Sequence, residues 1–272
     1  MNLWKGGPQK ILDFLGQRDM TIDVNGLATD YIDQGQGPVI LLLHGWAAPI
    51  EAYRRIIDKL SAKYRVLAPQ APGSGKTPEP AAPMTIEDYV SFTAAFCRAL
   101  EVEECILMGH SNGGRIILSM LAQPEPPVRC KKVVLVDSAG VPPKRPLSYY
   151  VKIYSYKLAR KLANNRLTGP LFGNLYESMR QKRGSDDYRN ASEVMKKTLV
   201  NLVNLDLTPL MPNIRQNVLL IWGDRDTATP LRDGKIMQEK LPESGLAVIQ
   251  NAGHFPFADN WPQFSAVLDA FL

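Results

Sequence analysis

Short apolar runs alternate along this chain with longer stretches in which apolar residues recur at helical spacing. Val39-Ile40-Leu41-Leu42-Leu43, Cys105-Ile106-Leu107-Met108, the centre of Lys132–Asp137 and Val218-Leu219-Leu220-Ile221-Trp222 are continuously apolar. Arg65-Val66-Leu67-Ala68 and Leu246-Ala247-Val248-Ile249 are shorter versions. Runs of this length predict strands covered on both faces. Helical spacing fills Glu51 to Lys63, Thr85 to about Leu100, the stretch after Gly114, about 231–240 and 261–271. Thr85 and Asp88 form a capping-box start for the second of these. Near the N-terminus, Thr21–Val24 and Leu27–Ile32 alternate around Asn25-Gly26, which predicts an antiparallel hairpin at a sheet edge. Before it, Ile11-Leu12-Asp13-Phe14-Leu15 reads first as one helical turn laid on the body and second as a peripheral membrane contact. Buried strands alternating with helices predict an α/β fold: a parallel sheet covered on both sides.

The alternation stops between Ala139 and about Asp206. Pro142, Pro143 and Pro146 open this stretch, several helices follow, and no buried-strand pattern occurs. It holds thirteen Lys/Arg against five Asp/Glu, a surplus of eight in a chain whose net charge is +5. A basic helical insertion therefore interrupts a slightly acidic body. Its positive faces read first as solvated helix surface and second as an attraction for an anionic surface or substrate.

With 272 residues, 45% hydrophobic and 22% charged, the chain fits one α/β domain with an insertion. No dense Lys/Arg run interleaved with aromatics points to nucleic acid. No apolar run is long enough to span a bilayer, and Met1–Pro8 lacks the apolar core of a signal peptide. Cys97, Cys105 and Cys130 are sparse, odd in number and without CxxC spacing, which predicts free thiols and a cytoplasmic location.

The chemistry gathers at Gly109-His110-Ser111-Asn112-Gly113-Gly114, between a predicted strand and a predicted helix. In that context Gly-x-Ser-x-Gly predicts a tight turn that lifts the Ser111 hydroxyl clear of the backbone, with glycines where a β-carbon would collide. The helix that follows turns its N–H groups and positive dipole end to the same spot. Of three histidines, His110 lies inside the turn and His44 ends a strand; His254, in Gly253-His254-Phe255 past the last strand, is the candidate base. Past the preceding strand, Trp222-Gly223-Asp224-Arg225-Asp226 offers two carboxylates, and residue chemistry alone barely separates Asp224 from Asp226. An oxyanion hole needs two backbone donors: Asn112 N–H after the serine, and Trp46 N–H in the His44-Gly45-Trp46 turn. Ala71-Pro72-Gly73-Ser74-Gly75-Lys76-Thr77 imitates a phosphate loop, but Gln70 stands where its first glycine belongs and prolines bar a helix until Thr85. No ligand cluster predicts a metal, and no organic cofactor is implied.

His44-Gly45-Trp46, the serine turn, Trp222–Asp226 and Gly253-His254-Phe255, in the order Ser, Asp, His, make the chain resemble the α/β-hydrolase family over nearly its whole length. The resemblance implies an eight-stranded, mostly parallel sheet with its second strand antiparallel and a helical cap after the sixth. The domains would be 1–138 and 209–272 for the core and 139–208 for the cap. It also implies Asp226 as the acid, 28 residues before His254, with Asp224 as understudy. Many relatives carry Asp where this chain has Gln70; serine at the turn argues against the branches that use aspartate there. The expected activity is hydrolysis of a small carboxylic ester by a Ser111-His254-Asp226 triad through an acyl-enzyme, the partner being a small-molecule substrate. Hydrolysis of C–C, amide or thioester bonds, acyl transfer, perhydrolase activity and ligand binding with little turnover are the rivals. Tyr149, Tyr150, Tyr154 and Tyr156 of the cap would line the pocket or pack its core.

Overall fold

In a computed structural model the described residues are 19–144, 147–165, 168, 172, 177–178 and 191–272. The patch at 11–15 lies outside them. The chain opens with β1 (Asp19–Val24) and β2 (Leu27–Gln34), antiparallel and joined at Asn25-Gly26. Both turn residues have positive φ, 55° and 82°, the conformation that Asn-Gly adopts at low cost. The strands β3 (Val39–Leu43), β4 (Arg65–Pro69), β5 (Ile106–His110), β6 (Lys132–Val136), β7 (Asn217–Gly223) and β8 (Ser244–Ile249) follow. The sheet order is β1-β2-β4-β3-β5-β6-β7-β8. β2 runs antiparallel to both neighbours, and β4 through β8 are mutually parallel. The eight-stranded, mostly parallel sheet is thus as expected.

Between the strands lie α1 (Arg54–Leu60), α2 (Ile86–Ala99), α3 (Asn112–Leu121), α4 (Leu147–Ala163), α5 (Glu193–Val203) and α6 (Leu231–Lys240), and after β8 come α7 (Pro256–Asp259) and α8 (Trp261–Phe271). Strand periodicity splits the core into two layers. Leu41, Leu67, Leu107, Val133, Leu135 and Leu220 meet α2, α3 and α6 through Phe96, Ile117 and Met237. Ile40, Leu42, Val66, Met108, Val134 and Ile221 meet α1 and α8 through Ile57 and Phe264. Thr85 and Asp88 cap α2 reciprocally, as their spacing predicts.

Two elements differ from expectation. β5 runs on through Gly109 and His110, because both still pair with β6, opposite Leu135 and Val136. The serine therefore leaves the sheet at its very edge. The stretch expected as helix from Glu51 to Lys63 begins as a 3-10 turn at Ile50–Tyr53 and becomes α-helical only at Arg54; such tightening is common at helix starts. Tyr154 is 66% exposed on α4, so it is not part of a core; the side chains of Tyr149 and Tyr150 lie outside the described residues.

Between β6 and β7 the described residues form α4 and α5 and no strand. α5 is tied to the body: Met195, Thr198 and Leu202 are buried, and the Met84 N–H donates to Thr198 Oγ1 at 3.0 Å.

Candidate active site

Ser111 sits between β5 and α3 with φ 51° and ψ −113°, a conformation that non-glycine residues rarely hold. Three glycines make room for it. A β-carbon on Gly109 would stand 2.6 Å from Gly114 N, one on Gly113 2.0 Å from the Leu43 carbonyl oxygen, and one on Gly114 2.1 Å from Ser138 Oγ. The Ser111 hydroxyl makes no hydrogen bond among the described residues.

The two predicted backbone donors are uncommitted. Neither Trp46 N–H nor Asn112 N–H has an acceptor among the described residues. The neighbouring Gly45 N–H is taken: it donates to Tyr53 Oη at 2.9 Å. Gly45 approaches the serine closely, since a β-carbon there would lie 3.3 Å from Ser111 Cβ.

His254 and Asp226 come together from the loops after β8 and β7. His254 Nδ1 lies 2.7 Å from Asp226 Oδ2, and the Asp226 side chain is wholly covered. A carboxylate only accepts, so Nδ1 carries the proton and Nε2 is left with its lone pair. Asp226 Oδ1 also accepts the N–H groups of Ala228 and Thr229, at 2.7 and 3.1 Å, and Oδ2 takes the Thr229 hydroxyl at 2.7 Å. Burial alone would raise this carboxyl; the bonds from His254 and Thr229 outweigh it and hold the group below the ordinary carboxylate range. Asp224, by contrast, turns outward and accepts the Ala252 N–H at 3.0 Å. It braces the turn that carries His254 and does not touch the imidazole.

The other two histidines are structural in different ways. His44 donates from Nδ1 to the Gly45 carbonyl at 2.7 Å and accepts the Ala71 N–H on Nε2 at 2.9 Å. It joins the turn after β3 to the loop after β4. His110 points away from the serine, yet its Nε2 meets the His254 carbonyl at 2.7 Å and its Nδ1 meets Tyr53 Oη at 2.7 Å. The carbonyl fixes the proton on Nε2, so Nδ1 accepts from the tyrosine hydroxyl. A chain of hydrogen bonds thus runs from Gly45 N–H through Tyr53 and His110 to the backbone of His254. Burial pushes His110 down to about 3, so it stays neutral.

Two residues escaped the sequence reading. Tyr53 lay in a predicted helix with nothing to distinguish it from core. Asp137, expected only as the end of a strand, has a wholly buried side chain behind Asp226. Its Oδ1 accepts the Gly223 N–H at 2.9 Å, and its Oδ2 has no partner. Burial pushes this carboxyl up to about 9.

A cavity of about 270 Å³ adjoins the two uncommitted donors, with Trp46, Ser74, Glu79, Tyr89, Asn112 and Met195 in its walls. Ser111 and His254 are not in those walls; Gly45, which packs against Ser111, and Asn112, its chain neighbour, are. Gly73 and Ser74 of the phosphate-loop imitation form part of it. Gln70 shapes that loop, donating to Asp30 Oδ2 at 3.1 Å and accepting the Lys76 N–H at 3.2 Å. After this loop no helix begins until Ile86, so the loop has no helix N-terminus to offer a phosphate. Among the described residues no group of His, Cys, Asp or Glu is placed to hold a metal, and no helix is long and apolar enough to cross a membrane. All three cysteines are unpaired.

Residues 38–260 match the family described as the alpha/beta hydrolase fold. A pimeloyl-[acyl-carrier protein] methyl ester esterase of Aeromonas hydrophila is 26% identical, over 88% of this chain and 96% of that protein. A 2-hydroxy-6-oxo-6-phenylhexa-2,4-dienoate hydrolase of Burkholderia cepacia is 26% identical, over 93% of this chain and 95% of its own. Among solved structures, a bacterial membrane phospholipase A superposes with a TM-score of 0.71 at 24% identity, covering 97% of this chain and 92% of that one.

Proposed function

The chain belongs to the α/β-hydrolase family and is a hydrolase, and from that premise we propose that it cleaves small carboxylic esters with Ser111, His254 and Asp226. His254 Nε2 takes the Ser111 proton as the oxygen attacks the ester carbonyl. Asp226 holds the imidazole in the required tautomer and stabilises the imidazolium. Trp46 and Asn112 N–H groups receive the oxyanion; loss of one such donor costs about 3 kcal/mol of transition-state stabilisation. His254 then protonates the leaving alcohol, and water, deprotonated by the same imidazole, clears the acyl group. The observation that carries this reading is the 2.7 Å contact between His254 Nδ1 and a covered, donor-rich carboxylate. The Ser111 hydroxyl and Nε2 close to hydrogen-bond distance as substrate arrives, as catalytic contacts that are loose in the free enzyme commonly do.

Residues 139–208 act in this reading as a cap over the cavity, supported by Ala191 and Met195 in its wall. The unpaired thiols favour work in the cytoplasm. The Aeromonas relative is named for an ester and favours that bond; the Burkholderia relative is named for a dienoate hydrolase. A fluorophosphonate labels Ser111, and Ser111→Ala abolishes both labelling and ester turnover; labelling that survives in the Ala variant ends the assignment. A panel of aryl esters of rising acyl length, with an amide and a C–C substrate beside them, measures which bond is preferred.

A further inference from the structure

The cavity beside the serine carries more hydrogen-bond donors than ester cleavage uses. Asn112 Oδ1 accepts from Arg115 Nη1 at 2.7 Å. Arginine only donates, so this contact fixes the amide the other way round: Nδ2 is turned from Arg115 and has no acceptor among the described residues. Arg115 itself is 8% exposed, its Nε has no partner, and no carboxylate pairs with it among the described residues. A buried cation with one neutral acceptor is costly to keep, and here its visible effect is to hold Asn112. Two more donors share the cavity wall. Tyr89 is 2% exposed, and neither its hydroxyl nor that of Ser74 has a hydrogen-bond partner among the described residues. Glu79 brings a carboxylate to the same wall, with its Oε2 accepting from Ser192 Oγ at 2.6 Å.

We propose that Asn112 Nδ2, Tyr89 Oη and Ser74 Oγ form a subsite for a second, neutral carbonyl oxygen on the acyl part of the substrate. This rests on the reading of Ser111 as nucleophile and narrows its substrate class to oxo-acyl esters. A plain alkyl chain would cover three donors and satisfy none, which a buried site penalises heavily. A carboxylate fits less well than a ketone, because the donors in the wall are neutral, Arg115 does not line the cavity, and Glu79 does. Arg115 is a positioning residue that acts through Asn112.

Three p-nitrophenyl esters of matched length test the subsite: hexanoate, 5-oxohexanoate and the half-ester of glutarate. The oxo ester is expected to exceed hexanoate at least tenfold in kcat/KM, with the glutarate ester below it. The oxo-to-alkyl ratio is expected to fall at least threefold in Tyr89→Phe and in Asn112→Leu. Using a ratio cancels any general loss of activity. Arg115→Gln should lower the same ratio through KM, with kcat little affected. A ratio near one in the natural protein, an unchanged ratio in both Tyr89→Phe and Asn112→Leu, or a preference for the glutarate ester overturns the subsite. Calorimetric titration of the Ser111→Ala protein with 5-oxohexanamide and hexanamide needs no turnover, and tighter binding of the oxo compound is expected. Preference in binding without ester turnover sinks the nucleophile and leaves the subsite standing. Turnover with no oxo preference in either experiment, or equal or no binding of the two amides, sinks the subsite.

Discussion

Asp137 and Asp226 stand at the ends of adjacent parallel strands, on one edge of one sheet, and both are buried. Their surroundings treat them oppositely. Asp226 has donors on both oxygens: two backbone N–H groups on one, a hydroxyl and an imidazole N–H on the other. Asp137 has one donor, the Gly223 N–H, and one oxygen with none. The first is held ionised below its usual range. The second is pushed up to about 9, chiefly by burial, with the charge of Asp226 adding to it. Burial alone therefore does not decide the state of a carboxyl; the supply of donors does. The neutral neighbour also spares Asp226 a like charge at close range.

The largest effect that would sharpen this contrast comes from Asp226→Asn. The variant amide presents a donor to His254 and reverses its tautomer, so kcat should fall by about 10⁴-fold, as the same change does in a serine protease triad. Steady-state kinetics with a soluble aryl ester would show it. A fall of less than tenfold would mean that Asp226 is not the acid.

Asp137→Asn should do the reverse and stabilise the fold. Below pH ~4 the Asp137 carboxyl is protonated folded and unfolded alike, and nothing is gained. Between ~4 and about 9 the unfolded chain releases this proton and the folded chain keeps it, so natural stability declines as pH rises. An asparagine escapes that decline, with a gain on the order of 1–3 kcal/mol at pH 7. Urea unfolding at pH 4, 7 and 8.5 would read it. Equal stability of the two proteins at all three would remove the protonated state.

Tyr53→Phe probes the hydrogen-bond chain that ends on the backbone of His254. Losing the hydroxyl strands Gly45 N–H and His110 Nδ1, at roughly 1–2 kcal/mol in stability. About a tenfold fall in kcat with KM little changed is expected if the chain also keeps His254 in place. Asp224→Asn closes the series. A partly exposed carboxylate that accepts the Ala252 N–H and does not touch the imidazole should change kcat by less than about threefold. A larger loss there than at Asp226 would exchange their roles.

Much of this was legible in the residues, for physical reasons. A strand covered on both faces has no polar positions, and Leu41, Val134 and Ile221 announced theirs. Asn25-Gly26 and Thr85/Asp88 are local chemistry and formed as read. The choice between Asp224 and Asp226 was not local. His254 meets Asp226 across 28 residues, while the Ala252 N–H from the loop after β8 engages Asp224. The place of His110 inside the turn implies that it points away from the serine, but its bond to the His254 carbonyl spans 144 residues and has no local signal. Nor does the run Arg115-Ile116-Ile117 reveal that its arginine is covered. Tyr154 shows the limit of helical spacing: a repeat of apolar positions does not say which side of an inserted helix meets the body.

At Gly113 the first turn of α3 rests on the Leu43 carbonyl, where even a methyl group would stand 2.0 Å from the oxygen. The start of α3, which carries the Asn112 amide, is thereby gauged against the end of β3 by main chain on main chain. Drift in the side chains around the cavity can alter which small molecules are admitted without touching that gauge, so taste and chemistry are free to evolve apart.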